Sequence, residues 1–299
     1  MSRKLILYPN IKLWMAAIKP PMYSVAIMPI WVGTAVAFAE KKVLHTAVFF
    51  TFLAAAILIV AWENLSNDVF DSDTGIDINK HHSLVNLTGN RQLIFWLGNW
   101  FLSLGLLGII AISWWQKDLT VIGIILLCCG LGYLYQGPPF RLGYQGLGEI
   151  LCFFAFGPLG VAAGYYSQTQ SFSWMSFAAS LIVGITTTLI LFCSHFHQVE
   201  DDLAAGKLSP IVRLGTQKGS QVLNWLTASI YVLILIFVIC GIFPLWTLLS
   251  CFSLPFARKL CHHVGENHNQ PDKVSNSKFI AIAVQFWCCL FFGLGFVLG

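Results

Sequence analysis

The sequence predicts an all-α integral membrane protein, a bundle of about nine transmembrane helices. Of its 299 residues, 57% are hydrophobic and only 10% are charged, whereas about 25% of a soluble domain is charged. The apolar residues come in runs of about 20, the length that a helix needs to cross a bilayer. The net charge of +4 is small and spread along the chain, which argues against a nucleic-acid partner. The expected surroundings are therefore a lipid bilayer.

Polar breaks divide the chain into nine predicted spans, because irregular backbone is excluded from the hydrocarbon region. Only Gly241 separates the seventh span from the eighth, so eight spans are the alternative. Spans 2 and 6 both end in acidic motifs, which suggests that residues 1–299 form one domain in which helices 1–4 and 5–8 are pseudo-repeats, followed by helix 9. The predicted spans are 22–39, 47–67, 93–115, 119–136, 147–166, 173–195, 222–241, 243–260 and 278–298.

The basic residues predict the orientation in the membrane. Only Lys41, Lys42 and Lys117 fall on one face, and the other 14 of the 17 Lys and Arg residues fall on the face that holds the N-terminus. Because basic loops stay in the cytoplasm, the N-terminus is expected to be cytoplasmic and the C-terminus to lie outside. Acidic residues gather on that same cytoplasmic face, in two motifs that follow spans 2 and 6. Ionisable groups concentrated in this way indicate where the chemistry takes place.

The first acidic motif begins inside the apolar run of span 2. Its polar residues recur at intervals of three and four, so they share one face of a helix. Gly75 is expected to end this helix and to let Asp77 fold back. Clustered oxygen ligands of this kind favour Mg²⁺ held jointly with phosphate oxygens, although a solvated loop of helix-capping acids is the simpler alternative. The shared face contains Asn64, Asn67, Asp68 and Asp71.

The second acidic motif follows span 6 and faces the same predicted cavity. Two basic residues, Lys207 and Arg213, come after it and could clamp an anion. His195 and His197 are two residues apart and point to different helix faces, so a metal pair is disfavoured against hydrogen bonding or substrate contact. The oxygen ligands of this motif are Gln198, Glu200, Asp201 and Asp202.

These two motifs resemble those of the UbiA superfamily of intramembrane prenyltransferases. Asn67-Asp68-x-x-Asp71 is similar to the family's first aspartate-rich motif, and Asp202-x-x-x-Gly206-Lys207 to its second. Lys19-Pro20, Tyr135-x-Gly137-Pro138 and Gly146-Leu-Gly-Glu149 extend the resemblance along essentially the whole chain. The residues of the first motif are similar to those of the 1,4-dihydroxy-2-naphthoate prenyltransferases of cyanobacteria and plastids. Gln198 departs from the family pattern, in which many members have Asp at this position.

The resemblance implies Mg²⁺-dependent transfer of a phytyl or polyprenyl group from its diphosphate to 1,4-dihydroxy-2-naphthoate, with loss of CO₂, in phylloquinone or menaquinone biosynthesis. Two Mg²⁺ ions are expected between Asp68, Asp71 and Asp202, with Asn67 beside them. Tyr135, the two histidines and Gln198 would line the pocket. The diphosphate would be held by Asn64 and by the basic residues Lys19, Lys80, Arg91, Arg141, Lys207 and Arg213.

Several alternatives stay open at this stage. Within the superfamily, the acceptor could be homogentisate, 4-hydroxybenzoate or chlorophyllide. A secondary transporter would place its acids near the middle of the bilayer in broken helices, and a CDP-alcohol phosphotransferase would carry an Asp-Gly-x-x-Ala-Arg string that this sequence lacks. The expected location is the inner membrane or the thylakoid membrane of a photosynthetic organism.

Overall fold

The computed structural model describes residues 18–76 and 83–299, which are helical and contain no β-strand. We number its nine longer helices in chain order and refer to shorter helical turns by their ranges. The nine helices are α1 (Ser24–Lys41), α2 (Thr46–Thr74), α3 (Arg91–Gln116), α4 (Thr120–Gln136), α5 (Gly148–Thr169), α6 (Trp174–Ser194), α7 (Thr216–Ile239), α8 (Leu254–Asn267) and α9 (Ser277–Leu298).

The described segments include seven helices that are long and apolar enough to span a membrane, and these contain α1, α2, α3, α5, α6, α7 and α9. These seven helices support the prediction of a multi-pass helical membrane protein. The α4 helix is apolar but shorter, at 17 residues.

The segment predicted as the eighth span differs from the expected single helix. A 3₁₀ helix occupies Leu245–Ser253, and α8 follows it with Pro255 in its first turn. Proline lacks the N–H that would continue a preceding helix, so it favours a new helix start. The hydropathy of residues 243–260 therefore did not reveal that two different helical segments meet there.

The α2 helix extends beyond the apolar span 47–67 through the first acidic motif, as the spacing of its polar residues predicted. It runs for 29 residues and ends at Gly75, whose φ of 77° is the left-handed conformation expected of a helix-ending glycine. At 1.5 Å per residue this helix is about 44 Å long, against about 30 Å for the hydrocarbon core. Its last turns, with Asp68 and Asp71, can therefore lie beyond the lipid tails.

Helices α1, α6 and α9 form the centre of the bundle and contribute most of the largest buried cluster. Within its apolar window, α6 is 78% buried, whereas α3 and α7 are each only 22% buried. The outer helices leave large apolar side chains such as Trp96, Trp100 and Trp225 uncovered. In a membrane protein these side chains face lipid, so their exposure carries no cost.

The α1 and α5 helices cross at Gly33, where the backbones come very close. A Cβ atom at this position would lie 2.5 Å from the carbonyl oxygen of Val161 and 2.7 Å from the amide nitrogen of Tyr165. Small residues permit such close helix crossings in membranes. The α5 helix itself changes to a π-helical turn at Ala155–Leu159, which includes Pro158.

We expect Gly33→Ala to lower the unfolding temperature of the detergent-purified protein, because the added methyl group must push α1 and α5 apart. Overpacking of this kind costs about 1–3 kcal/mol. Gly123→Ala is the matched control, since a Cβ there meets no atom within 4 Å, and it should leave stability unchanged or slightly raised. Equal melting curves for both variants would contradict the close crossing.

Candidate active site

A cavity of about 590 Å³ opens at the end of the bundle where α2 and α6 finish and α9 begins. Its mouth is polar, and its interior is lined largely by aliphatic and aromatic side chains. Pockets of this size with few polar groups are typical small-molecule sites. The polar residues of the wall include Lys19, Asn64, Asn67, Asp71, Gln198, Asp201 and Lys207, and the apolar ones include Val25, Val60, Leu131, Tyr135, Leu151, Phe156 and Ile190.

The first acidic motif places two carboxylates at the mouth in different environments. Asp68 is only 1% exposed, with one oxygen 3.8 Å from the Nζ of Lys19 and the other accepting a hydrogen bond of 2.8 Å from the backbone N–H of Leu84. Asp71 lines the cavity and accepts a hydrogen bond of 3.0 Å from the hydroxyl of Tyr144. That hydroxyl also lies 2.7 Å from the Oγ1 of Thr74. Asp68 therefore supports the mouth from behind, while Asp71 faces the space inside it.

The second acidic motif lies on the short helix Val199–Ala204, where Asp202 is fully buried. The Nζ of Lys207 lies 3.5 Å from one oxygen of Asp202, and the Nδ1 of His195 lies 3.2 Å from the other. Burial alone would raise the pKa of this carboxyl, but the hydrogen bond from His195 and the charge of Lys207 lower it, and the net direction is downward. Asp202 is therefore an anion at neutral pH.

His195 joins the second acidic motif to α5. It is 2% exposed, and while its Nδ1 faces Asp202, its Nε2 lies 3.3 Å from Oε1 of Glu149. One imidazole thus separates two carboxylates that would otherwise repel each other. This geometry matches the hydrogen-bonding alternative for His195, and both His195 and His197 are part of the cavity wall.

The described basic residues that the sequence assigned to an anion divide into three groups. Lys19 and Lys207 line the cavity. Arg141 lies over the ring of Tyr144, with its guanidinium carbon 6.0 Å from the ring centre. Arg91 joins the start of α3 to the last turn of α2 through an ion pair of 2.6 Å with Asp73, and Arg213 donates to backbone carbonyls of two loops.

Two of the predicted residues, Asp77 and Lys80, lie outside the described residues. Glu200 is exposed and is not part of the cavity wall, whereas Asp201 and Gln198 are. The second motif therefore presents its oxygen ligands to the cavity through Gln198 and Asp201, with Asp202 buried behind them.

The donor set of the cavity is suited to a hard divalent cation shared with a phosphate group. Within residues 18–76 and 83–299, no three His, Cys, Asp or Glu side chains converge closely enough to hold an ion by themselves. Carboxylate and amide oxygens from the two motifs nevertheless face one space, and Mg²⁺ commonly takes one or two protein carboxylates together with substrate phosphates and water. The residues present therefore fit Mg²⁺ bound with a phosphorylated substrate.

The sequence analysis assigned no functional role to three residues of the site. Tyr144 holds Asp71 from the loop after α4, and its ring lies 5.7 Å from the Nζ of Lys207. Glu149 belonged to a string that carried the family resemblance, but its contact with His195 was not foreseen. Glu63 lines the cavity from within the apolar part of α2. An acidic residue inside an apolar run, one turn before Asn67, was the signal for it.

These features define a membrane-embedded helical bundle with an apolar cavity closed by acidic and basic side chains. The sequence profile described as the UbiA prenyltransferase family matches residues 26–290. The chain belongs to this family and is a prenyltransferase, which confirms the family predicted from the two acidic motifs.

Individual relatives agree with this assignment. The chain is 58% identical to the 2-carboxy-1,4-naphthoquinone phytyltransferase of Synechocystis sp. over 285 residues, covering 95% of this chain and 93% of the relative. It is 41% identical to the chloroplastic 2-carboxy-1,4-naphthoquinone phytyltransferase of Arabidopsis thaliana, covering 97% and 78%.

A solved structure shows the same fold. A UbiA homolog from Archaeoglobus fulgidus superimposes with a TM-score of 0.65 at 17% identity, over 96% of this chain and 100% of that one. A further structure of a UbiA homolog from that organism, bound to GPP and Mg²⁺, gives a TM-score of 0.60 at 16% identity over 96% and 100% of the two chains.

We expect His195→Ala to destabilise the protein by about 3–5 kcal/mol, because it removes the imidazole that separates the carboxylates of Glu149 and Asp202 inside the protein. Thermal unfolding in detergent measures this effect. The control, His262→Ala, removes a histidine that is 72% exposed and pairs with Glu266 on the surface of α8, so its cost should stay below about 1 kcal/mol.

A second substitution separates charge from packing at this position. If the cost of His195→Ala arises from repulsion between Glu149 and Asp202, adding Glu149→Gln should recover part of the lost stability. If the double variant lost as much stability as the two single variants together, the bridging role of His195 would be contradicted.

Proposed function

We propose that this protein transfers a phytyl or related polyprenyl group from its diphosphate to 1,4-dihydroxy-2-naphthoate, with loss of CO₂, in a Mg²⁺-dependent reaction of phylloquinone or menaquinone biosynthesis. The observation that carries this proposal is the cavity itself, in which oxygen ligands and lysines at the mouth adjoin an apolar interior. The names of the cyanobacterial and plastid relatives, which give 2-carboxy-1,4-naphthoquinone as the acceptor, support a carboxylated naphthalene acceptor and the phytyl donor. The dihydroxy form of the acceptor is supported by a relative that is 25% identical and is named 1,4-dihydroxy-2-naphthoate octaprenyltransferase. The structure with GPP and Mg²⁺ supports a metal-bound diphosphate in this fold.

The mouth is suited to the diphosphate end of the donor. Asn67 and Asp71 from α2 and Gln198 and Asp201 from the second motif line the cavity and would hold two Mg²⁺ ions. The buried Asp68 and Asp202 would add negative charge directly behind these ligands, and Glu200 and Asp77 are further candidates in the same motifs. These ions would neutralise the charge that develops on the leaving diphosphate oxygens. Lys19 and Lys207 reach the same space and add positive charge, with Asn64 beside them. Arg91 and Arg213 are left out of this cradle because their guanidinium groups are already paired within the protein.

The interior of the cavity is suited to the prenyl chain and to the carbocation that forms when the diphosphate leaves. Water would quench such a cation, so an apolar wall protects it. The ring of Tyr135 lies in this wall, and an aromatic face stabilises a nearby positive charge. The electron-rich naphthalene ring then attacks the cation, and loss of CO₂ from the substituted carbon restores the aromatic ring.

The proposal includes the orientation of the protein. The cavity mouth lies at the face that holds most of the basic residues, and the positive-inside rule supports a cytoplasmic position for that face, with the C-terminus outside. The relatives from a cyanobacterium and a chloroplast support the inner membrane or thylakoid membrane of a photosynthetic organism.

The experiment that tests the proposal is product analysis with purified protein, Mg²⁺, phytyl diphosphate and 1,4-dihydroxy-2-naphthoate. We expect a decarboxylated phytyl-naphthoquinol, and we expect EDTA to abolish it. Asp71→Asn and Asp202→Asn should each lower the rate more than about a hundredfold, since each removes a charge that would balance the metal.

Asp118→Asn is the matched control for these two variants. This residue lies at the opposite end of the bundle, where it caps Thr120 and accepts a hydrogen bond from Tyr166, and asparagine can cap a helix equally well. Its rate should stay within about twofold of the unmodified protein. Product formation that is indifferent to EDTA and to Asp71→Asn would contradict the proposed metal site.

Competition between acceptors tests the naphthoate assignment. With equal concentrations of 1,4-dihydroxy-2-naphthoate, homogentisate and 4-hydroxybenzoate, we expect naphthoate product to exceed the other two by at least about tenfold, which corresponds to about 1.4 kcal/mol. If homogentisate were prenylated in preference, the assignment as a prenyltransferase would stand and the assigned acceptor would change to homogentisate. Mass spectrometry of the quinol products separates these outcomes.

A further inference from the structure

Glu63 is an acidic residue deep in the cavity, inside the apolar part of α2. The cavity wall includes Glu63 together with Asn64, Asn67 and Asp71, so all four lie on the inner side of the helix. At 1.5 Å per residue along the helix axis, Glu63 lies about 6 Å deeper than Asn67 and about 12 Å deeper than Asp71, measured from the end of α2 at the mouth. It therefore lies well below the acidic mouth, on the side of the bilayer interior.

Its surroundings leave the carboxylate open to the cavity. Glu63 forms no hydrogen bond or ion pair with any residue that the structure describes. Across from it, Gly132 of α4 presents no side chain, and a Cβ there would lie 3.5 Å from Oε1 of Glu63. The neighbouring wall is formed by Val60, Leu131 and Cys152.

An acidic group in such a place is costly unless something polar binds to it. Charged side chains within membrane spans are rare and mark functional sites, and burying an unpartnered polar group disfavours the folded state. A Mg²⁺ ion shared with Asp71 is excluded by distance, because Mg²⁺ binds its ligands at about 2.1 Å and Asp71 is two helical turns away. The partner of Glu63 must therefore come from the solvent or from a molecule that the cavity binds.

The depth of Glu63 identifies which molecule this is. If the diphosphate is held at the mouth, the carbon that it leaves lies just below, at the level of Asn64 and Glu63, and the prenyl tail beyond that carbon has no polar group. The aromatic acceptor must lie beside the same carbon, and it carries hydroxyl groups. We propose that the Glu63 carboxylate accepts a hydrogen bond from a ring hydroxyl of the acceptor and takes its proton as the ring attacks, a catalytic role that rests on the proposed function.

The step balances without a further reactant. As the bond from ring carbon to prenyl carbon forms and the bond from prenyl carbon to diphosphate oxygen breaks, the hydroxyl becomes a ring carbonyl and its proton moves to Glu63. When CO₂ leaves, the electron pair of its bond returns to the ring and the carbonyl becomes an oxyanion. Glu63 then gives the proton back to this oxygen, so it ends in the form in which it began.

The test compares full-length Glu63→Gln with the unmodified protein, using 1,4-dihydroxy-2-naphthoate and its two mono-methyl ethers as acceptors. We expect Glu63→Gln to lower kcat with the dihydroxy acceptor about a hundredfold, a typical effect of losing a general base, while the KM for the prenyl diphosphate changes less than about threefold. In the unmodified protein, one of the two methyl ethers should react about a hundredfold more slowly, and in Glu63→Gln this difference should disappear.

Two further variants keep the test independent of folding. Glu266→Gln changes an exposed glutamate of α8 (64% exposed) and should keep full activity. Gly132→Ala places a methyl group in front of the Glu63 carboxylate and should raise the KM for the acceptor more than the KM for the donor.

Each unfavourable result has a separate meaning. Activity of Glu63→Gln within twofold of the unmodified protein, or an equal loss with hydroxy and methoxy acceptors, would overturn the role of Glu63 and leave the proposed function intact. If the unmodified protein itself prenylated no aromatic acceptor, the proposed function would fail, and the role of Glu63 with it.

Discussion

The arrangement of the site depends on balancing negative charge at the mouth of an apolar cavity. Two helix ends bring carboxylates to one place, and burial strengthens their mutual repulsion because the local dielectric constant is low. Lys19 partners Asp68, and Lys207 and His195 partner Asp202, at distances of 3.2–3.8 Å. These contacts fix the loops that carry the basic residues onto the helix ends, so the geometry of the mouth follows from electrostatic compensation.

Asp71 and Asp201 also line the cavity, and this gives the mouth two kinds of acidic group. The buried pair, Asp68 and Asp202, is compensated mainly by protein cations and defines the scaffold. The cavity-facing pair borders the space that a cation would enter together with its substrate. Under the proposed function, such a site would gain its full positive charge only when a phosphorylated ligand brought metal ions, and donor binding would thereby be coupled to charge balance.

Periodicity and charge predicted which residues of α2 and of the second motif meet, because spacings of three and four on a helix determine a shared face. Loop contacts could not be predicted in the same way. A bias of basic residues toward one membrane face indicates the side on which Arg91 and Arg213 lie but not their partners, which depend on the path of the loops. Hydropathy averaged over a span concealed Glu63 for a related reason, since one acidic residue hardly changes the mean of a long apolar run. The same averaging merged the 3₁₀ helix Leu245–Ser253 with the start of α8, although Pro255 marks the boundary.

The cavity has a polarity gradient along α2, and under the proposed function this gradient would order the two substrates. Charged groups near Asp71 suit a diphosphate, the apolar residues of the interior suit a hydrocarbon chain, and Glu63 is the acidic residue that α2 places between these regions. A prenyl diphosphate has polar atoms only at its head. It can therefore bind polar groups at the mouth and pack its chain in the apolar interior, but it offers no hydrogen-bond donor to Glu63. A hydroxylated aromatic ring can donate a hydrogen bond to Glu63, but only when the ring lies beside the reacting carbon. The need to partner this carboxylate, which lies deep in the cavity, would thus hold the acceptor in the place where carbon–carbon bond formation occurs.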